Sequence, residues 1–446
     1  MSKQQLSNIR IIGFSLGSVG TGLFSTTPTV LLLFYLTQLK GVEAGLAGFA
    51  LLIPKLWDML TDPIIGRWSD ASNSKYGRRL PFMLAGTLLM PLGLVLMFSA
   101  PEAATPTFSF WFVMAAYLFS ATAYTLFAVP YITIPSELSS DPDERLKIMS
   151  YRTSGVMLGI ILGSGLPPFL ISFFSQDAGF QDAAAYQQTA IVLGIICVAF
   201  MLCSILSIKS FSLLQPKFDV SKVSFFAQIK RVMTPLFRYL VITHVLQITA
   251  VGILLASATY LAVFANGLSP ASAGSFLTAT FVTAMVAMPL WQKISLATSR
   301  VTAFAIGALV YMFVAIAMLI YGLNIAYWHF IGLGIGFGLG FAAIQMIPYA
   351  LLTDTIHQHG EQHGFGSEGV FTGIWTATEQ LGLAIAPFLV GVSLQYGGFI
   401  AGTQQQSESA TKAILLTATL LPILLMFLSM FALYAFQRLY QKGNSQ

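Results

Sequence analysis

Apolar residues run along this chain in long blocks, separated by short polar stretches rich in Gly, Pro and charge. Twelve blocks are long enough to cross a bilayer, which takes about 20 residues of helix. They predict spans at 9–38, 43–69, 81–100, 109–136, 151–174, 189–213, 236–265, 271–292, 301–322, 328–352, 369–394 and 411–436. Each must be helical, because in hydrocarbon the backbone N–H and C=O groups have to pair within the segment. The widest polar break, 214–235, lies near the midpoint and reads as a linker between 1–213 and 236–446. The halves echo each other. Val129-Pro130-Tyr131 and Ile347-Pro348-Tyr349 stand at an offset of 218, with Glu137 six residues after the first Tyr and Asp354 five after the second. The predicted architecture is an all-α polytopic membrane protein, with twelve transmembrane helices in two six-helix bundles. Repeated halves of this kind are common in transporters.

Composition agrees with that pattern. Of 446 residues, 56% are apolar and 9% charged, against about 25% charged in soluble domains. A cytosolic enzyme, a disordered chain and a secreted disulfide scaffold are excluded. Cys197 and Cys203 share one apolar block and read as packing residues. The net charge of +5 reports loop topology, not nucleic-acid binding. With Met1 on the cytoplasmic side, 19 of the 22 Lys and Arg fall on or near that side. Lys40 and Lys412 fall opposite, and Lys55 lies within a span. By the positive-inside rule both termini are cytoplasmic, in the inner membrane if the source is bacterial. The first block lacks a small-residue cleavage site and reads as a retained helix.

Charge inside a span is costly and marks function. The second span carries Lys55, Asp58 and Asp62 at spacings of three and four, which share one helical face. Two carboxylates one turn apart repel unless a cation sits with them. Oxygen ligands suit a hard ion such as Na⁺, or a proton. The alternative is a Lys–carboxylate network that only locks helices together. Gly66, Asp70, Arg78 and Arg79, with Glu137, Asp354 and Glu368, suit a cytoplasmic charge latch. Arg152 either pairs with Asp58 or Asp62 or snorkels to the interface. Glu379 reads as a cavity-lining carboxylate, or else as a helix-locking one. His244, with Gln247 on its face, is a packing residue or a site residue. His357, His359 and His363 read as a solvated loop, and no metal site is expected. Gly332, Gly334, Gly336, Gly338 and Gly340 are not a phosphate loop and predict tight helix contact.

The stretch Lys55–Pro81, with Trp57-Asp58, Asp62-Pro63, Gly66, Asp70, Lys75, Gly77-Arg78 and Pro81, resembles the second-helix signature of the glycoside–pentoside–hexuronide:cation symporters. The melibiose carriers belong to that family, itself part of the major facilitator superfamily. The segments Tyr124-Thr125…Val129-Pro130-Tyr131, Arg152 and Asp354…Gly366-Ser367-Glu368-Gly369 are similar too. The resemblance implies that Asp58, Asp62 and Thr125 bind the coupling cation, with Lys55 beside them and Arg152 near the substrate. Ala128 and Gly22 stand where sugar-carrying members have Asp, and Glu379 or Gln380 where they have Lys. A galactoside is therefore not implied.

The expected function is cation-coupled symport by alternating access, with Na⁺ or H⁺ as coupling ion and no cofactor. Candidate cavity residues are Lys55, Trp57, Thr21, Ser25, Thr26, Tyr124, Ala128, Arg152, His244, Gln247, Thr283, Gln345, Tyr349, Trp375, Thr376, Glu379 and Gln380. The solute is sugar-like or another small polar molecule; the alternative is an amphiphile such as a lysolipid. The remaining partners are the coupling cation and the lipid bilayer, and a monomer is expected. A membrane enzyme would need an assembled nucleophile–base pair, and a channel a filter signature; neither is in the sequence. A non-transporting sensor or scaffold is the remote alternative.

Overall fold

A computed structural model describes residues 7–72, 74, 77–138, 141–175, 182–212, 225–363 and 368–444. These form α1 (Asn8–Phe34), α2 (Ala44–Ala71), α3 (Leu80–Met97), α4 (Pro106–Leu138), α5 (Pro142–Phe174) and α6 (Ala183–Ser212). Then come a short α7 (Phe225–Val232), α8 (Pro235–Tyr260), α9 (Ala271–Ala297), α10 (Arg300–Tyr321), α11 (Tyr327–His363), α12 (Glu368–Tyr396) and α13 (Glu408–Asn444). All but α7 are long and apolar enough to cross a membrane, twelve in all. Helix α7 lies within the polar linker and carries Lys230 and Arg231 in its last turn.

Two helices run further than the apolar blocks. Helix α5 starts at Pro142, so Asp143, Glu144 and Arg145 form its first turn and are not a loop. Proline fits the first helical position, and acidic residues there face the positive end of the helix dipole. Helix α11 continues to His363, so the histidine segment is helical, not a solvated loop. The His357 and Glu361 side chains, one turn apart, are 3.6 Å from each other. His359 is buried, edge-on to Phe371 at 5.1 Å. Cys197 is buried as expected, but Cys203 is exposed.

The chain divides into two compact units, each taken over its described residues. One is Met1–Phe218 with Ser269–Gly274 and Ile400–Gln404. The other is Asp219–Leu268, Ser275–Phe399 and Gln405–Gln446. Their internal likeness extends to backbone detail. Helix α1 closes in a π-turn, Tyr35–Leu39, and α8 in another, Leu261–Ala265. Val42 N–H then bonds to Leu36 at 2.9 Å, and Leu268 N–H to Ala262 at 2.8 Å. Each turn passes through a left-handed glycine, Gly41 (φ +65°) and Gly267 (φ +59°), where a side chain would be strained. The residue before each glycine ties down a later loop. The Lys40 ammonium donates to the Ala100 and Pro101 carbonyls at 2.7 and 3.3 Å. Asn266 Oδ1 accepts from Ile325 N–H at 2.9 Å. Burial pushes the Lys40 ammonium below the usual lysine range, against the opposing pull of Glu102.

Small residues set the helix crossings. In the first unit Gly155, Gly159 and Gly163 form a stripe along α5 against α1. A Cβ at Gly159 would lie 2.5 Å from the Val19 carbonyl oxygen, and one at Gly163 2.7 Å from that of Leu23. In the second unit the alternating glycines of α11 serve two neighbours. Gly334 and Gly338 meet Phe276 and Thr280 of α9, while Gly336 and Gly340 meet Val314 and Tyr311 of α10. Gly332 meets nothing within 4 Å. Gly159→Ala is therefore expected to destabilise the first unit by about 1–3 kcal/mol, as overpacking does. Gly332→Ala is expected to leave stability unchanged. Thermal unfolding of the two purified variants in lipid nanodiscs checks the contrast.

Candidate functional site

Helix α2 carries the ionisable face between its two internal prolines, Pro54 and Pro63. Lys55 Nζ lies 3.7 Å from Asp58 Oδ2, and Asp58 is 1% exposed. Neither Asp58 oxygen has a hydrogen-bond partner among the described residues. One turn on, Asp62 Oδ1 accepts the Thr125 hydroxyl of α4 at 2.9 Å. Tyr124, the neighbour of Thr125, has its ring centroid 5.7 Å from Lys55 Nζ and stacks on Phe24 at 5.4 Å. The three ionisable groups carry a formal charge of −1, with acceptor capacity left on both carboxylates. That is a set of hard oxygen ligands suited to one monovalent cation.

Arg152 does not join this group. Among the described residues it makes no ion pair with Asp58 or Asp62. Its guanidinium lies 5.3 Å from the Tyr131 ring centroid. Tyr131 in turn donates to the Phe14 carbonyl at 2.9 Å. Trp57 is also apart: it is 43% exposed and its indole N–H donates to Thr122 at 2.9 Å. The hydroxyls of Thr21, Ser25 and Thr26 bond back to carbonyls of their own helix. Ala128 is half-buried on α4. Gly22 lies in the α1–α5 crossing, where a Cβ would stand 2.7 Å from the Val156 carbonyl oxygen. This backbone has no room for a carboxylate at that position.

The second unit assembles its own polar group from α8, α11 and α12. His244 stacks on Trp375 at 3.8 Å between centroids and 15° between planes. Gln247 Nε2 donates to His244 Nδ1 at 3.0 Å. Tyr349 lies edge-on to both rings, at 6.0 and 5.5 Å, and its hydroxyl donates to Glu379 Oε2 at 2.7 Å. His244 Nε2, Gln247 Oε1 and Trp375 Nε1 are buried without a hydrogen-bond partner among the described residues. Such groups are uncommon in a finished core and mark a place where a ligand can supply the bonds. Gln345 neighbours Glu379. Thr376 is exposed, Gln380 half-buried, and Thr283 packs against Gly338.

The latch residues resolve into ion pairs within each unit. Arg79 caps α3 and pairs with Asp70 at 2.8 Å, while its Nη1 donates to Ser69 Oγ at 3.2 Å. Gly66 does not serve close approach, since a Cβ there would find Val129 at an ordinary 3.5 Å. Arg78 is half-buried beside Arg79. Asp354 of α11 pairs with Arg300, whose Nη1 also donates to the Ala350 carbonyl at 3.0 Å. This pair borders a cavity of about 440 Å³ lined also by Ser299, Leu351, Phe436 and Gln437. Arg300 was not among the sequence candidates. Its signal was available, because it opens the third helix of its half as Arg79 does. Lys75 and the side chains of Glu137, His363 and Glu368 lie outside the described residues.

Comparison with known proteins places this geometry in a lineage. The pattern of the MFS/sugar transport protein family matches residues 13–438. An uncharacterised symporter of Synechocystis sp. is 26% identical, over 90% of this chain and 88% of that one. The inner membrane symporter YicJ of Escherichia coli is 23% identical, over 96% and 91%. The sodium-dependent lysophosphatidylcholine symporter 1 of Gallus gallus is also 23% identical, over 96% and 87%. Among solved structures, a bacterial homologue of the human lysosomal transporter Spinster superposes with a TM-score of 0.72 at 12% identity, over 98% of both chains. The fold is thus that of the major facilitators, and this twelve-helix integral membrane protein belongs to the MFS/sugar transport protein family.

Proposed function

We propose that this transporter is a cation-coupled symporter of a sugar-like or other small polar solute, working by alternating access. The observation that carries the reading is Asp58: buried, with neither oxygen hydrogen-bonded among the described residues, and set against a single Lys55 although Asp62 stands one turn away. An ionised carboxylate in that setting costs several kcal/mol unless charge and bonds are supplied. Lys55 supplies charge for one carboxylate, and a bound Na⁺ or H⁺ supplies it for the other. Thr125 adds a hydroxyl oxygen to the cation's ligands.

In the second unit the polar group around His244, Gln247, Trp375, Tyr349 and Glu379 provides hydrogen-bonding positions for the solute. The Asp70–Arg79 and Arg300–Asp354 pairs act as latches on the cytoplasmic side. Both termini and the linker lie on that side, and the bundles are 1–213 and 236–446. The amphiphile reading keeps one support: a sodium-dependent lysophosphatidylcholine symporter is among the relatives. Cation coupling is common to both readings, as is a monomer in a cytoplasmic membrane. Solute and cation must each raise the other's affinity by the same factor.

Asp58→Asn and Asp62→Asn are each expected to abolish the sodium- or proton-dependent rise in melting temperature of the purified protein. If both variants keep the wild-type response, the cation binds elsewhere. Lys55→Met takes the group from a formal charge of −1 to −2. It is expected to tighten monovalent cation binding by about tenfold, or about 1.4 kcal/mol, on Coulomb grounds; calorimetric titration with NaCl reads this directly. A thermal-shift screen against sugars, small acids and lysolipids, with and without Na⁺, separates the two solute classes. A sugar shift enhanced by Na⁺ supports the first, and a lysolipid shift with none from sugars supports the second.

A further inference from the structure

The first unit answers its buried charge with Lys55, but the second unit holds a carboxylate with no such answer. Glu379 stands eleven residues into α12, about 16 Å along the helix at about 1.5 Å per residue. It is well inside the span Gly369–Tyr396. Its Oε2 accepts the Tyr349 hydroxyl at 2.7 Å, and Gln345 is its other hydrogen-bonding neighbour. Both are neutral. Among the described residues, no Lys or Arg lies within ion-pairing distance of it. On α11 the nearest ionic group in sequence, Asp354, is paired with Arg300 of α10.

Helix α8 brings His244 and Gln247 to the same group. Gln247 donates to His244 Nδ1, and a ring that accepts there is the neutral tautomer with its hydrogen on Nε2. It supplies no positive charge. An ionised carboxylate at this depth without a counter-charge is strongly disfavoured, so its neutralisation must come from outside the chain. A metal cation wants several oxygen ligands. Here the Tyr349 hydroxyl turns its hydrogen to the carboxylate, and His244 and Trp375 present N–H groups. Besides the carboxylate, the amide oxygens of Gln345 and Gln247 remain, short of the roughly six oxygens that a hard metal cation gathers. A proton needs one oxygen. Once bound, its hydroxyl donates to Gln345 while the other carboxyl oxygen goes on accepting from Tyr349. Tyr349 is 39% exposed and Glu379 half-buried, so neither is sealed within the protein.

We propose that Glu379 is a proton-binding site of the second unit, distinct from the cation site at Asp58 and Asp62, with Tyr349 as its positioning residue. Its part in transport rests on the symport reading, but proton binding itself does not. The full-length protein in nanodiscs is titrated from mildly acidic to alkaline pH. Infrared difference spectroscopy follows the carbonyl stretch of protonated carboxylic acids. One such band is expected to disappear as the pH rises, to be absent in Glu379→Gln, and to persist in Asp58→Asn and Asp62→Asn. Tyr349→Phe keeps the acid but removes its donor, and is expected to shift the band to higher frequency. No Glu379-dependent band at any pH, a band displaced by NaCl at fixed pH, or an unshifted band in Tyr349→Phe each overturns the proposal. Loss of the sodium response in Asp58→Asn with no Glu379 band sinks this proposal alone. A Glu379 band with an unchanged sodium response in Asp58→Asn and Asp62→Asn sinks the cation-site reading alone.

Discussion

Charge without water is the constraint on which this molecule turns. A bilayer leaves no solvent to share the field of an ion, so each carboxylate within a span must be matched by something. The first unit matches Asp58 with Lys55 at 3.7 Å and gives Asp62 the Thr125 hydroxyl. The match is incomplete by one unit of charge. That shortfall is the basis of the proposed cation site. Asp70 and Asp354, by contrast, are matched within the chain, by Arg79 and Arg300. Completed pairs hold structure, and incomplete ones leave room for a ligand.

Holding those groups in place falls to helix crossings with almost no side chain between them. Lipid tails are as apolar as leucine, so association within the membrane depends on close packing and not on exclusion of water. The stripe Gly155, Gly159 and Gly163 lets α5 lie directly on the α1 carbonyls. Gly22 belongs to the same contact, so a packing requirement also fixes what chemistry α1 can offer. The α11 glycines divide between α9 and α10 in alternation. With those backbones in contact, Tyr349 and Gln345 are carried to Glu379, and Tyr349 to the rings of His244 and Trp375.

Span number, the paired carboxylates and the likeness of the halves were all legible in the residues. Helix ends were less so, because an apolar block marks where lipid contact stops, not where the helix stops. Helix α11 goes on past the last apolar residue through His357 and Glu361 to His363, and polar residues carry it without penalty once it leaves the hydrocarbon. The repeat proved deeper than the Val-Pro-Tyr and Ile-Pro-Tyr echo suggested. Lys40 and Asn266 share no chemistry of charge, yet each precedes a left-handed glycine and anchors a later loop. Geometry conserved that role while residue type did not, so no comparison of letters would have found it.

By itself the sequence determined that this chain crosses the membrane twelve times and carries Lys55, Asp58 and Asp62 on one helical face. Helical periodicity and the cost of bare backbone in lipid leave little else possible. Partnership was decided only by the tertiary structure: Lys55 goes to Asp58, Thr125 to Asp62, Arg152 to the Tyr131 ring and Arg300 to Asp354. These choices depend on which helices cross and at what separation. A hydrogen bond or ion pair is settled by a few tenths of an ångström, and spacing along a single helix does not contain that information.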